Sequence, residues 1–242
     1  MNQRIALITG ANKGIGLETA RQLAQAGCHV IVAGRNFEAA RMAAATLEAD
    51  GLNAEALALD VTKSSSIASA AASVGQRHGR LDVLVNNAGI MRDAVDKTPS
   101  QQSLDAWRET FDTNLFGLVE VTNAFLPLLK KSDAGRIVNV SSLLGSMAAS
   151  VDPTSMFYNV KIPAYNISKT ALNAWTVHLA YELRDTAIKV NSASPGFVKT
   201  DLHGMDAPLS PAEGARTSVK LATLPADGPT GSFLHDEAVL PW

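Results

Sequence analysis

One cysteine in 242 residues, few aromatic side chains and no surplus of positive charge narrow what this chain can be. A single thiol, Cys28, rules out an internal disulfide and fits a reducing compartment. It reads as small core filler at the start of a strand. The formal net charge of −2 leaves no basic patch, so neither nucleic acid nor an anionic membrane is expected as a partner. No apolar run reaches the ~18 residues that a membrane-crossing helix needs. Met1 leads almost directly into a strand-like run, with no room for a signal peptide, so a soluble cytoplasmic protein is expected. No linker, internal repeat or low-complexity stretch divides residues 1–242, and one domain is expected. No metal-ligating set stands out, and none is expected. With aromatics at 5%, the interior must be built from Ala, Val, Leu and Ile, as in sheets covered on both faces.

What is present alternates. Apolar runs at Ile5–Thr9, Val30–Ala33, Ala54–Leu59, Leu81–Val85, Gly135–Val140, Ile188–Ala193 and Thr230–Leu234 read as seven strands, separated by helical patterns of about a dozen residues. That order predicts a doubly wound α/β fold with a parallel, Rossmann-type sheet. The first strand ends in Gly10-Ala11-Asn12-Lys13-Gly14-Ile15-Gly16 and a helix follows. Glycines there let a backbone approach a pyrophosphate at the positive end of the helix, which points to a dinucleotide. The second strand ends in Gly34-Arg35, with no acidic residue to bind a ribose 2′-hydroxyl. Lys13 and Arg35 instead favour a 2′-phosphate, hence NADP(H).

Further polar groups gather where strands end. Asp60-Val61 follows the third strand and is placed either to cap an adenine or simply to turn the chain into the next helix. Asn86-Asn87-Ala88-Gly89 follows the fourth, Ser141-Ser142 the fifth and Ser194-Pro195-Gly196 the sixth. Carboxyl ends of strands are where open sheets bind ligands. Asn114 interrupts the long helical pattern Leu104–Leu129, where asparagine is a poor helix former. Gly145–Pro163 reads as irregular and leads into Ala164-Tyr165-Asn166-Ile167-Ser168-Lys169. On a helix Tyr165 and Lys169 share a face one turn apart. An ammonium beside a phenol favours the phenolate and lowers a value that is ordinarily ~10, so the pair is a candidate acid/base unit.

In this order the markers resemble the short-chain dehydrogenase/reductase family over essentially the whole length. They are Thr9-Gly10-xxx-Gly14-x-Gly16, Asp60-Val61, Asn86-Asn87-Ala88-Gly89, Asn114, Ser142, Tyr165-xxx-Lys169 and Pro195-Gly196. Asn12, Lys13 and Arg35 are similar to the NADPH-preferring carbonyl-reductase branch. The resemblance implies reversible reduction of a ketone or aldehyde. Tyr165 would be the general acid, Lys169 would bind the nicotinamide ribose and lower the Tyr165 pKa, and Ser142, second in its pair as the family has it, would hold the substrate oxygen. Asn114 would hold a relay water. The cofactor would meet Gly10, Asn12, Lys13, Gly14, Ile15, Gly16, Arg35, Asp60, Val61, Asn87, Ala88, Gly89, Pro195, Gly196 and Val198 as well as Tyr165 and Lys169, with Thr200 at the nicotinamide amide. A non-catalytic NADP(H)-binding sensor or scaffold, and an isomerase or dehydratase using the nicotinamide transiently, stay as alternatives. One departure stands out: residues 143–164 separate the serine from the tyrosine, more than the family commonly has. This segment could shape a pocket, cover an oligomer surface or do neither. Monomeric carbonyl reductases carry a longer insertion there, so a homodimer or homotetramer is an open expectation. The substrate-loop region, 201–224, begins with a short loop that suggests an open pocket.

Overall fold

Along the first strand, β1 (Ile5–Thr9), Ala6 and Ile8 turn to one side of a sheet and Leu7 to the other, and each side has its own buried core. This period of two is repeated in every long strand, which is why both faces must be covered by helices. A computed structural model describes residues 3–202 and 206–242. Its strands are β1, β2 (His29–Gly34), β3 (Ala54–Ala58), β4 (Val83–Asn86), β5 (Arg136–Val140), β6 (Lys189–Ala193), β7 (Phe233–His235) and β8 (Ala238–Val239). They form one sheet in the order β3-β2-β1-β4-β5-β6-β7-β8. The first seven pair in parallel, with Ile8 opposite both Val32 and Val85, and β8 alone is antiparallel. The expected seven strands are all present, and the two-residue β8 is an addition too short to show a period.

The helices are α1 (Gly14–Gln25), α2 (Phe37–Ala49), α3 (Ser64–His78), α4 (Leu104–Phe111), α5 (Leu118–Leu129), α6 (Met147–Val151), α7 (Pro163–Glu182) and α8 (Pro211–Ala222). One face buries Leu23 of α1, Leu47 of α2 and Leu221 of α8 against Ala6, Ile8, Val30 and Val32. The other buries Ile67 and Val74 of α3, Phe125 of α5 and Leu179 of α7 against Leu7, Ile31, Leu84 and Ile137. Cys28 sits in the first core at 3% exposure, the filler role expected of it, and burial raises its thiol pKa.

Two local readings change. The pattern 104–129 is not one α-helix: Asp112–Gly117 is a π-helical segment between α4 and α5, with Asn114 inside it. The segment expected to be irregular, Gly145–Pro163, follows a turn of 3₁₀ helix at Leu143–Gly145 and holds the short α6, whose start is capped by Ser146 accepting from the Ala149 N–H. The middle of the expected substrate loop, 203–205, lies outside the described residues, and α8 beyond it belongs to the scaffold, packed on α1.

Candidate active site

Strand order reverses between β1 and β4, and the crevice opens at their carboxyl ends, as open α/β sheets require. It has a volume of about 600 Å³, within the range of cofactor sites. The glycine loop forms one wall. Gly10 turns at φ +62°, a conformation L side chains avoid, and Gly16 is needed for close approach. A Cβ on Gly16 would lie 2.5 Å from Asn87 Nδ2 and 2.6 Å from the Gly10 carbonyl oxygen. Asn87, just after β4, fixes the same loop, its Nδ2 donating to the carbonyls of Thr9 (2.8 Å) and Gly10 (3.1 Å). Its amide thus builds the floor of the crevice, as the Ala88 N–H does by donating to Thr9 Oγ1. Lys13 heads α1 without any side-chain cap, leaving the helix's first N–H groups to a ligand. A glycine cradle, an uncapped helix start and two cations fit a dinucleotide phosphate chain.

The cations differ. Arg35 lies on the crevice wall, exposed. Lys13 forms an exposed ion pair with Asp201 across the crevice mouth, so a phosphate must compete for it. Asp60 also lines the crevice; burial pushes its carboxyl up, but hydrogen bonds from the Thr62 hydroxyl (2.8 Å) and N–H (3.1 Å), with Lys63 and Arg35 nearby, leave it net lowered. Asn12, Gly14, Ile15, Val61, Gly89, Pro195 and Thr200 line the same space. Gly196 and Val198 do not. Val198 is fully buried, and a Cβ on Gly214 of α8 would lie 2.6 Å from its Cγ2, so it supports the wall from behind.

At the far end α7 brings in Tyr165 and Lys169, each 4% exposed. Ser142 is half-buried, its Oγ accepts from the Leu144 N–H (3.2 Å), and it lies near enough to the Tyr165 phenol to favour the ionised form. Burial raises the phenol and the nearby Ser142 hydroxyl offsets part of that, leaving it pushed up to about 12. Burial also lowers the Lys169 ammonium to about 8. The expected lowering of the phenol by Lys169 is therefore corrected. The ammonium lies over the ring, 5.7 Å from its centroid, and donates to the Val140 carbonyl at 2.7 Å instead of meeting the hydroxyl. Asn114 is fully buried and its amide is committed: Oδ1 accepts from the Ile90 N–H (2.8 Å), and Nδ2 donates to the Ile90 carbonyl (2.9 Å) and Ser168 Oγ (3.0 Å). A water held by this side chain has only the second lone pair of Oδ1.

Sequence reasoning missed Asp93. Its carboxylate accepts from the backbone N–H groups of Ala164 (2.8 Å) and Tyr165 (3.0 Å), capping α7 where Ile162, the residue in the cap position, provides no side-chain bond. No local signal marks a cap lying 71 residues upstream. Ser141 also borders the crevice, its buried Oγ without a partner among the described residues.

Residues 4–208 match the short chain dehydrogenase family. The chain belongs to the short-chain dehydrogenase/reductase family. It is 40% identical over 226 residues to the short-chain dehydrogenase anuI of Penicillium roqueforti (strain FM164), covering 90% of this chain and 88% of that one. It is 35% identical to carbonyl reductase [NADPH] 1 of Mus musculus, covering 98% of each. Among solved structures, NADPH-bound carbonyl reductase from chicken fatty liver superimposes with a TM-score of 0.85 at 30% identity, over 100% of both chains. Family membership makes this an NADP-dependent oxidoreductase.

Proposed function

We propose that the chain is an NADPH-dependent reductase of ketones or aldehydes that also runs the reverse oxidation of the alcohol. The observation that carries this reading is the buried pair Tyr165 and Lys169, one helical turn apart and with the half-buried Ser142 beside the phenol, at the end of a crevice that begins in a glycine cradle. The likeness to carbonyl reductases supports the cofactor, as do Lys13 and Arg35. Bound NADPH would supply hydride to the carbonyl carbon. Ser142 holds the carbonyl oxygen, and Tyr165 delivers the proton to it as charge develops there. A phenol pushed up to about 12 is fully protonated at neutral pH, the form reduction needs. Lys169 grips the nicotinamide ribose, and Asn114 positions the Ile90 backbone beside it. A relay water reaching Lys169 rests on the free Oδ1 lone pair of Asn114. Gly10, Gly14, Gly16, Asn12 and Ile15 cradle the phosphates, with Asp60 and Val61 at the adenine end and Thr200 at the amide end. Residues 143–164, where Met156 is 83% exposed, wall the substrate side together with the start of the loop after Thr200.

A panel of aliphatic, aromatic and cyclic ketones, aldehydes, quinones and diketones, scored by NADPH oxidation, tests the reading. Tyr165→Phe is expected to abolish turnover while NADPH still binds. Turnover that survives removes Tyr165 from its role. If NADPH binds and no carbonyl is reduced, a sensor or scaffold is the better description. The cations predict a preference for NADPH over NADH in kcat/KM of about tenfold or more, equivalent to ~1.4 kcal/mol. Equal values would sink that assignment.

A further inference from the structure

The opposite edge of the sheet carries a second cluster of functional groups, one that no spacing in the sequence announces. His29 opens β2, Glu55 is the second residue of β3, and His78 closes α3. Ile31 pairs with Glu55, so His29, two residues before Ile31, projects from the same face of the sheet as Glu55. The crossover helix α3 runs back against the strands and sets its C-terminus over that face. One ring nitrogen each from His29 and His78 and a Glu55 carboxylate oxygen lie within 4.8 Å of one another. His78 Nε2 is 2.7 Å from Glu55 Oε1, and His29 Nε2 is 3.6 Å from the same oxygen.

We propose that His29, Glu55 and His78 bind a divalent transition-metal ion of the Zn²⁺ class. His29 is the telling residue. Its Nε2 is buried and has no hydrogen-bond partner, although it faces a carboxylate oxygen and a second imidazole nitrogen. A buried nitrogen left without a partner costs free energy, and a ligand completes it. Two imidazoles and one carboxylate make a donor set that Zn²⁺ takes with a fourth position open to water. Ligand atoms around tetrahedral Zn²⁺ stand roughly 3.3 Å apart, from bond lengths near ~2.0 Å. Small side-chain rotations bring the cluster to that spacing, because the contacts already straddle it. The second carboxylate oxygen, Oε2, is paired with Arg77, which fixes the plane of the carboxylate and leaves Oε1 toward the imidazoles. The Arg77 charge opposes a cation here. The negative end of α3, where His78 sits, favours one.

A structural His78–Glu55 pair leaves His29 with a tilted ring contact to His78 (centroids 5.2 Å) and an unbonded Nε2, whereas a metal site uses that nitrogen. Tag-free full-length protein, titrated with ZnCl₂ in competition with a chromophoric chelator, should bind one Zn²⁺ per chain and gain thermal stability on doing so. His29→Gln and His78→Gln should each weaken that binding by roughly tenfold or more. NADPH-dependent turnover should not change, since the cluster lies at the other edge of the sheet from the crevice. Co²⁺ bound to the wild-type chain should show the intense visible bands of a four-coordinate ion, which keeps the test valid if a variant folds poorly. Absence of stoichiometric binding, binding that survives both substitutions, or a weak six-coordinate Co²⁺ spectrum would overturn the proposal.

Discussion

At the scale of single residues, the two buried groups of α7 titrate in opposite senses, and each has a consequence. Lys169 is lowered to about 8 from an ordinary 10.5, so between those values the unfolded chain holds a proton that the folded chain has lost. Stability therefore rises with pH through this window. Tyr165 is raised to about 12 from 10.0, so above pH ~10 the folded chain keeps a proton the unfolded chain gives up, and stability falls there. Catalysis is expected to feel Lys169 first. The kcat/KM for NADPH, which reports the free enzyme, should be flat at neutral pH and decline as pH passes about 8. A decline centred below pH 7 would contradict the role given to Lys169. The candidate groups could be picked out in the chain because each stands at a strand's carboxyl end or in a spaced motif. Their ionisation was not. The sequence places an ammonium one turn from a phenol, but burial of both and the turn of Lys169 toward the Val140 carbonyl belong to the packed fold.

At the scale of elements, α7 depends on a loop far away in sequence. Proline fits the first turn of a helix, and Pro163 opens α7, but the next two N–H groups need an acceptor. Asp93 supplies it, and one of those groups belongs to Tyr165 itself. Asp93→Ala is expected to cost about 1–3 kcal/mol of stability, as for loss of a charged cap. It should also lower kcat more than it raises KM for the carbonyl, because the phenol loses its orientation, and Asp93→Asn should restore part of the rate. Steady-state kinetics beside a denaturation curve checks both; a change in stability with kcat intact would leave Asp93 a purely structural cap. The π-helical segment around Asn114 has a related logic. Mid-helix asparagine signalled something unusual, and the unusual feature is an extra residue per turn that turns its amide inward to the Ile90 backbone. A buried ladder under the crevice was invisible for a different reason. Asn86 donates to Asn139, and Asn139 to Thr176 of α7, which also accepts from Ser192 of β6. Each looks like an ordinary polar residue until β4, β5, β6 and α7 are side by side.

At the scale of the whole molecule, the alternation of strands and helices was enough to predict the parallel sheet, since a strand buried on both faces leaves a continuous apolar run. Pairing order and the antiparallel β8 came only with the coordinates. Leu104 and Phe116 are 67% and 58% exposed on the α4–α5 side. Self-association through this region is the expectation, and sedimentation showing only monomer at micromolar concentration would refute it. The sheet edge at β8 is a poor alternative contact, being two residues long and antiparallel.

The solitary cysteine has a use unrelated to catalysis. Cys28 lies in the packed layer between α1 and the sheet, with a thiol that burial keeps protonated. A protonated, inaccessible thiol does not react, so alkylation must wait until β2 leaves the core. With no second thiol in the chain, the labelling rate of native protein is a direct clock for opening at the first core, available without any substitution. NADPH bound in the crevice should slow that clock by the free energy of its binding, turning one buried sulfur into a readout of cofactor affinity.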